Sequence, residues 1–191
     1  MICGLMKQRF SERSLLQQAS RFIEHIASVP ALALLVLLSV LFPVALFPVH
    51  GIGDIKPLDL HFSYSPDLLY EHLVALGEKG RGAYTRMLLT SDLVFPVIYS
   101  MALSIALMLF LRKLLPRANT YLCLFPFMIV IADWLENLSL VINIHEFPKR
   151  ADVLASYASA FTSLKWVLIV LTVLILLTLV AFGVARYIRD R

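Results

Sequence analysis

Two carboxylates and two carboxamides interrupt an otherwise apolar stretch of this chain: Asp133, Glu136, Asn137 and Asn143, between Pro126 and His145. Positions 133, 136/137, 140 and 143/144 recur every three to four residues, so on a helix they form one stripe. A carboxylate in hydrocarbon costs roughly 2.5–3.5 kcal/mol even on a lenient insertion scale, so the stripe must face protein or a wet cavity. Two acids one turn apart suit two kinds of chemistry. They can exchange protons as an acid–base pair, or hold the polar part of a lipid-like ligand. The structural alternative is a network in which Arg81, Arg86 or Lys165 neutralises the acids while Asn137 and Ser100 bridge helices.

The elements around that stripe are read from composition. The 191 residues are 60% hydrophobic and 16% charged, with a mean hydropathy of +0.82. A soluble domain has about 45–50% apolar and 25% charged residues, so the chain is an integral membrane protein. Four apolar segments are long enough to cross a bilayer, about 30–49, 92–112, 118–144 and 161–185. The expected fold is all-α: a four-helix transmembrane bundle (30–191) preceded by an amphipathic helix (1–29). A small helical extracytoplasmic cap (50–91) joins spans one and two.

Ten of the seventeen Lys and Arg flank the spans in three clusters: Lys7, Arg9, Arg13 and Arg21; Arg112, Lys113 and Arg117; Arg186, Arg189 and Arg191. Cations retained beside spans mark the cytoplasmic side, which puts both termini inside the cell (inner) membrane. The net charge of +4 is thereby accounted for without a nucleic-acid partner. Membrane lipids are the expected partners, with another membrane protein or a second copy of the chain as further possibilities.

Within the cap, Ser65-Pro66-Asp67 is a helix start and Gly77 a stop. The segment 80–86, with Arg81, Tyr84 and Arg86, is a second short helix or turn. In span two, Asp92, Pro96, Tyr99 and Ser100 share a face, and Pro96 leaves the Asp92 carbonyl without its helical donor. The rise of ~1.5 Å per residue sets Asp133 and Tyr99 at one depth, with Glu136, Asn137, Asp92, Lys165 and Arg81 or Arg86 nearer the surface. The polar cluster is therefore expected in the outer leaflet, beneath the cap. Ala151, Ala155, Ser159 and Ser163, at spacing four, form a seam for close helix approach.

Other chemistries lack their residues. None of the five histidines lies well inside a span, against a haem held between helices. The His61/His72 region has no metal-ligand spacing, and Cys3 and Cys123 form no C-x-x-C pair. Ser100 and Ser139 lack a neighbouring base. No metal and no cofactor are expected.

The motifs Gly77-x-x-Gly80-Arg81-x-x-Tyr84, Asp92-x-x-Phe95-Pro96-x-x-Tyr99 and Ala132-Asp133-x-x-Glu136-Asn137 resemble a group of four-span bacterial integral membrane proteins with no established activity. The resemblance covers about residues 50–170, and it implies a fold and a site location without a substrate. The topology is also similar to sterol-isomerase-type four- and five-span folds, which use intramembrane carboxylates, although their motifs do not match residue by residue. The expected activity is binding of a lipid or membrane partner through the outer-leaflet pocket. The alternative is acid–base catalysis on a lipid-like substrate, or proton-coupled transport, through Asp133 and Glu136.

Overall fold

The computed structural model describes residues 15–46, 57–116 and 120–190, and every described regular element is helical. Cys3, Lys7, Arg9, Arg13, the 51–53 turn and Arg117 lie outside the described residues. The helices are α1 (Leu15–Ile26), α2 (Val29–Leu46), α3 (Pro66–Leu89), α4 (Ser91–Leu114), α5 (Phe127–Glu146) and α6 (Asp152–Arg189). Three stretches are long and apolar enough to cross a membrane: Pro66–Leu114, Thr120–Glu146 and Asp152–Arg189. A fourth exists if α1 and α2, bent by 96° at residues 27–28, count as one broken span. Taken by itself, α2 has 18 residues, about 27 Å at the helical rise and marginal for a ~30 Å core.

Helices α5 and α6 form an antiparallel hairpin and the closest pair in the molecule. Helix α4 packs on both, and α2 packs chiefly on α4. At the end carrying the cationic residues Arg112, Lys113, Arg186 and Arg189, Leu114 lies against Gly183, which sets α4 and α6 side by side and parallel. At the opposite, hairpin end, α3 lies over α5 and α6 through Leu69, Tyr70, Leu73, Tyr84 and Leu88 against Leu140, Ala155 and Ala158. Helix α6 has 38 residues and measures about 57 Å, nearly twice a hydrocarbon core. Its charge-free half, 166–185, and that of α4, 93–111, run from the level of Asp92 and Lys165 to the basic end.

Local sequence explains the boundaries. Ser65 is an extended N-cap whose Oγ accepts from the Leu68 N–H at 3.2 Å, followed by Pro66 at the first turn and Asp67 beside the positive helix end. Gly77 does not end α3 but kinks it, with φ 61° and ψ −179°. The Leu73 carbonyl at that kink accepts from Arg81 Nη1 at 2.9 Å, so the second half of α3 satisfies the end of the first. The third apolar segment is helical only from Phe127. Residues Thr120–Leu124 form a 3-10 turn, and Pro126 occupies the cap, where its missing N–H leaves no gap in the ladder.

On α1 the apolar residues Leu15, Ala19 and Phe22 are exposed, while Ser20 and Ile23 are buried and Ile26 packs partly on the bundle. The small-residue seam of α6 is shared: Ala155 packs in the core with α3 and with Leu140 of α5, and Ser159 and Ser163 receive the chain before α3. Ser159 Oγ accepts from the Tyr64 N–H at 2.9 Å, and the Ser163 hydroxyl donates to the Phe62 carbonyl at 2.9 Å. Small side chains there let a backbone come close enough to be hydrogen-bonded.

The kink yields a contrast between two glycines. A Cβ at Gly77 would meet nothing within 4 Å, so Gly77→Ala is penalised by backbone conformation alone, about 1–3 kcal/mol. Gly82 is helical and exposed, so Gly82→Ala is neutral or stabilising by about 0.5–1 kcal/mol. Thermal unfolding in one detergent should order the proteins Gly77→Ala, wild type, Gly82→Ala by rising Tm.

Candidate functional site

The centre of the molecule is a buried ion cluster between α5 and α6. Asp133 lies thirteen residues before Glu146, and Lys165 thirteen residues after Asp152. Each is thus about 20 Å from the hairpin turn, and the two meet across it. Lys165 Nζ is 2.8 Å from Asp133 Oδ1 and 2.7 Å from Glu136 Oε2. The Lys165 and Asp133 side chains are 6% and 5% exposed and that of Glu136 is fully buried. Asp133 and Glu136 project from one face of α5, as the stripe requires, and one ammonium lies between them. The whole stripe is inside, since Asn137, Leu140 and Asn143 are buried as well.

The second oxygen of Glu136 meets Thr162. Thr162 Oγ1 is 2.7 Å from Glu136 Oε1, 3.0 Å from the Ala158 carbonyl and 3.5 Å from the Tyr64 hydroxyl. A threonine hydroxyl has one hydrogen and two lone pairs, and a carbonyl can only accept. Thr162 can therefore donate to an ionised Glu136, or donate to Ala158 and accept from a protonated one. The geometry accommodates both charge states without moving a heavy atom.

Around this core the α4 residues are arranged by Pro96. Asn137 Nδ2 donates to the Asp92 carbonyl at 3.4 Å, and Trp134 Nε1 donates to the next carbonyl, Leu93, at 3.1 Å. The first of these is the carbonyl that a proline at 96 deprives of its helical donor. Asn137 replaces that donor, and Trp134, one turn before it on α5, adds a second bond to α4. Tyr99 is near enough to the cluster to feel the charges of Asp133, Lys165, Asp92 and Glu136, and its ring packs edge-on against Phe95 at 5.1 Å. Ser100 and Ser104, successive turns of α4, are buried hydroxyls with no hydrogen-bond partner among the described residues, and Asn137 Oδ1 likewise has none there.

Of the residues expected at the site, Asp133, Glu136, Lys165, Asn137, Asp92 and Tyr99 come together. The two arginines do not, because their guanidinium groups are used elsewhere or face outward. Arg81 donates to Leu73 and stacks 4.3 Å above the Phe147 ring. Arg86 is exposed on the last turn of α3. The ion pairs to both acids come from Lys165, the cation that lies on the partner helix of the hairpin. Tyr84 is buried in the α3 core, edge-on to His72 at 5.6 Å.

Sequence reasoning missed Thr162 and Tyr64. Thr162 was accessible, being one turn from Lys165 on α6, whereas Tyr64 arrives through a chain reversal that no periodicity encodes. A second polar link at the hairpin end was also missed. The Tyr70 hydroxyl donates to Asn143 Oδ1 at 2.9 Å and accepts from the Ala151 N–H, tying α3 to both hairpin helices. Nearby, Arg150 lies between Asp67 and Asp152, whose hydrogen bonds raise its pKa above the ordinary guanidinium value. Among the described residues no three His, Cys, Asp or Glu side chains are grouped to hold a metal ion.

No protein family, curated protein or solved structure matches this chain.

The shared ammonium predicts an asymmetry between variants. Lys165→Met strands two buried carboxylates and should cost about 3–5 kcal/mol. Asp133→Asn leaves the 2.7 Å Glu136–Lys165 pair in place and keeps an amide oxygen facing the ammonium, so its loss should be clearly smaller. Thermal unfolding of both in the same detergent tests this, and an equal or larger loss for Asp133→Asn would refute it.

Proposed function

We propose that this is a four-span protein of the cell (inner) membrane, with both termini cytoplasmic, whose Asp133–Lys165–Glu136 cluster takes up and releases a proton. One observation carries the reading: a single buried ammonium bridges two carboxylates. With all three groups ionised the cluster holds one excess negative charge, and an unbalanced charge out of water costs several kcal/mol. One proton shared between the two acids removes the imbalance, and Thr162 can follow it by turning its hydroxyl. The unmatched oxygens of Ser100, Ser104 and Asn137 offer polar steps by which a proton could reach the cluster. Proton-coupled transport, or acid–base chemistry on a lipid-like molecule, is the activity such a site would serve.

The second reading, an outer-leaflet pocket for a lipid or membrane partner, is supported by how the site is covered. The chain before α3 lies over Thr162 and is fixed to α6 by the Tyr64–Ser159 and Ser163–Phe62 hydrogen bonds. In that reading displacement of the 62–64 segment admits the ligand, and an amphiphile copurifies with the protein.

Infrared spectroscopy of the reconstituted protein at neutral pH tests the proton reading. A protonated-carboxyl stretch is expected in the wild type and should weaken in both Asp133→Asn and Glu136→Gln, since either change removes one of the two acids that share the Lys165 ammonium. A wild-type spectrum with no such band, or a band untouched by both changes, would remove the basis of the proposal.

Orientation has its own test. In intact cells, an impermeant maleimide should label cysteines placed at Glu78 or Lys149, both exposed at the hairpin end. Cysteines placed at Lys113 or Arg189 should label only after permeabilisation. The reverse pattern would invert the topology.

A further inference from the structure

At the basic end, the paired helices α4 and α6 leave a groove of about 520 Å³. Its floor and walls are apolar, formed by Phe110, Leu114, Val180, Gly183 and Val184. Gly183 keeps it open: a side chain there would project toward Leu114, whose Cδ1 lies 3.3 Å from the position of a Cβ. The wall continues into the exposed apolar face of α6, where Val184 is 53% exposed. The rim is polar and mostly cationic, with Lys113 from the last turn of α4, and Arg186 and Tyr187 from α6. Asp190 is the one acid on it, at 3.7 Å from Arg186 and 3.8 Å from Arg189.

We infer that this groove is a binding site for an anionic phospholipid, its phosphate between Lys113 and Arg186 and part of one acyl chain along Val180, Gly183 and Leu114. Charge decides the occupant. Two cations face one acid across an apolar slot open to the lipid-covered side of α6, at the depth where its charge-free run of 166–185 ends. An arginine and a lysine presented together suit a phosphate: the guanidinium fork takes two oxygens, while the ammonium supplies a point charge. A zwitterionic lipid offers the same phosphate but adds a choline cation, which the same rim repels. The two basic ends would then be tied together by the lipid that bridges them. This inference rests on the membrane placement of α4 and α6 and is independent of the chemistry at Asp133.

Native mass spectrometry of the full chain in non-ionic detergent provides the test, with dioleoyl phosphatidylglycerol and dioleoyl phosphatidylcholine titrated separately. Phosphatidylglycerol should form an adduct at concentrations where phosphatidylcholine does not. Each cation near an anionic headgroup is worth roughly a fivefold change in binding, so Lys113→Gln with Arg186→Gln should weaken retention roughly twenty- to thirtyfold. Asp190→Asn should strengthen it. Gly183→Leu, which fills the slot and leaves the charges in place, should also abolish the adduct, while Lys149→Gln at the other end of the molecule should change nothing. Equal retention of the two lipids would overturn the site, as would a Lys149→Gln effect as large as that of the double variant. An unchanged elution profile and helical circular dichroism signal in each variant exclude loss through unfolding.

Discussion

Everything in this molecule is arranged around one ammonium that serves two carboxylates out of water. Lys165 cannot be buried without Asp133 and Glu136, and neither acid is tolerable in the bundle without Lys165. The constraint fixes the register of the α5–α6 hairpin, because a slide of one turn along either helix would move the charges about 5 Å apart. It also requires a cover at the hairpin end, where water would otherwise reach the cluster. Helix α3 and the chain leading into it supply that cover, and Thr162 and Tyr64 complete the polar contacts beneath it.

A second constraint is a backbone one. Pro96 removes the helical donor of the Asp92 carbonyl where α4 reaches the cluster, and Asn137 supplies one from α5, while Trp134 adds a bond to the neighbouring Leu93 carbonyl. The face of α5 that carries the acids toward Lys165 therefore adjoins the face that repairs α4. Three helices meet at one level for two unrelated reasons, charge balance and hydrogen-bond satisfaction, and this is why the motifs around Pro96 and Asp133 are dense in polar residues.

Much of this was legible in the chain. Spacing alone gave the stripe from Asp133 to Asn143, all of it buried, and proline chemistry gave the open carbonyl at Asp92. The start of α3 at Ser65-Pro66-Asp67 followed from capping rules. The choice of counter-ion did not follow, because an arginine in a loop and a lysine on a helix are equally available to a one-dimensional reading. Arg81 was drawn away by a local need, the carbonyl at the Gly77 kink, which sequence shows as a glycine and not as an acceptor. The seam of Ala155, Ser159 and Ser163 was visible, but small residues admit any close neighbour, and at Ser159 and Ser163 the neighbour is the backbone at 62–64. The start of α5 was misplaced because an apolar run does not distinguish a 3-10 turn from a helix. Hydropathy likewise could not show that α1 turns by 96° from α2.

Helix α6 contains no proline, and its one glycine, Gly183, is near its end. From Lys165 to Arg186 it is an uninterrupted rod of about 31 Å, since each residue adds ~1.5 Å. Helices α2 and α4 by contrast contain Pro43 and Pro96 and can flex at them. A rod held at Lys165 by two carboxylates and seated at Gly183 against Leu114 of α4 has no joint between those two points, so the ion cluster and the basic end keep one fixed separation.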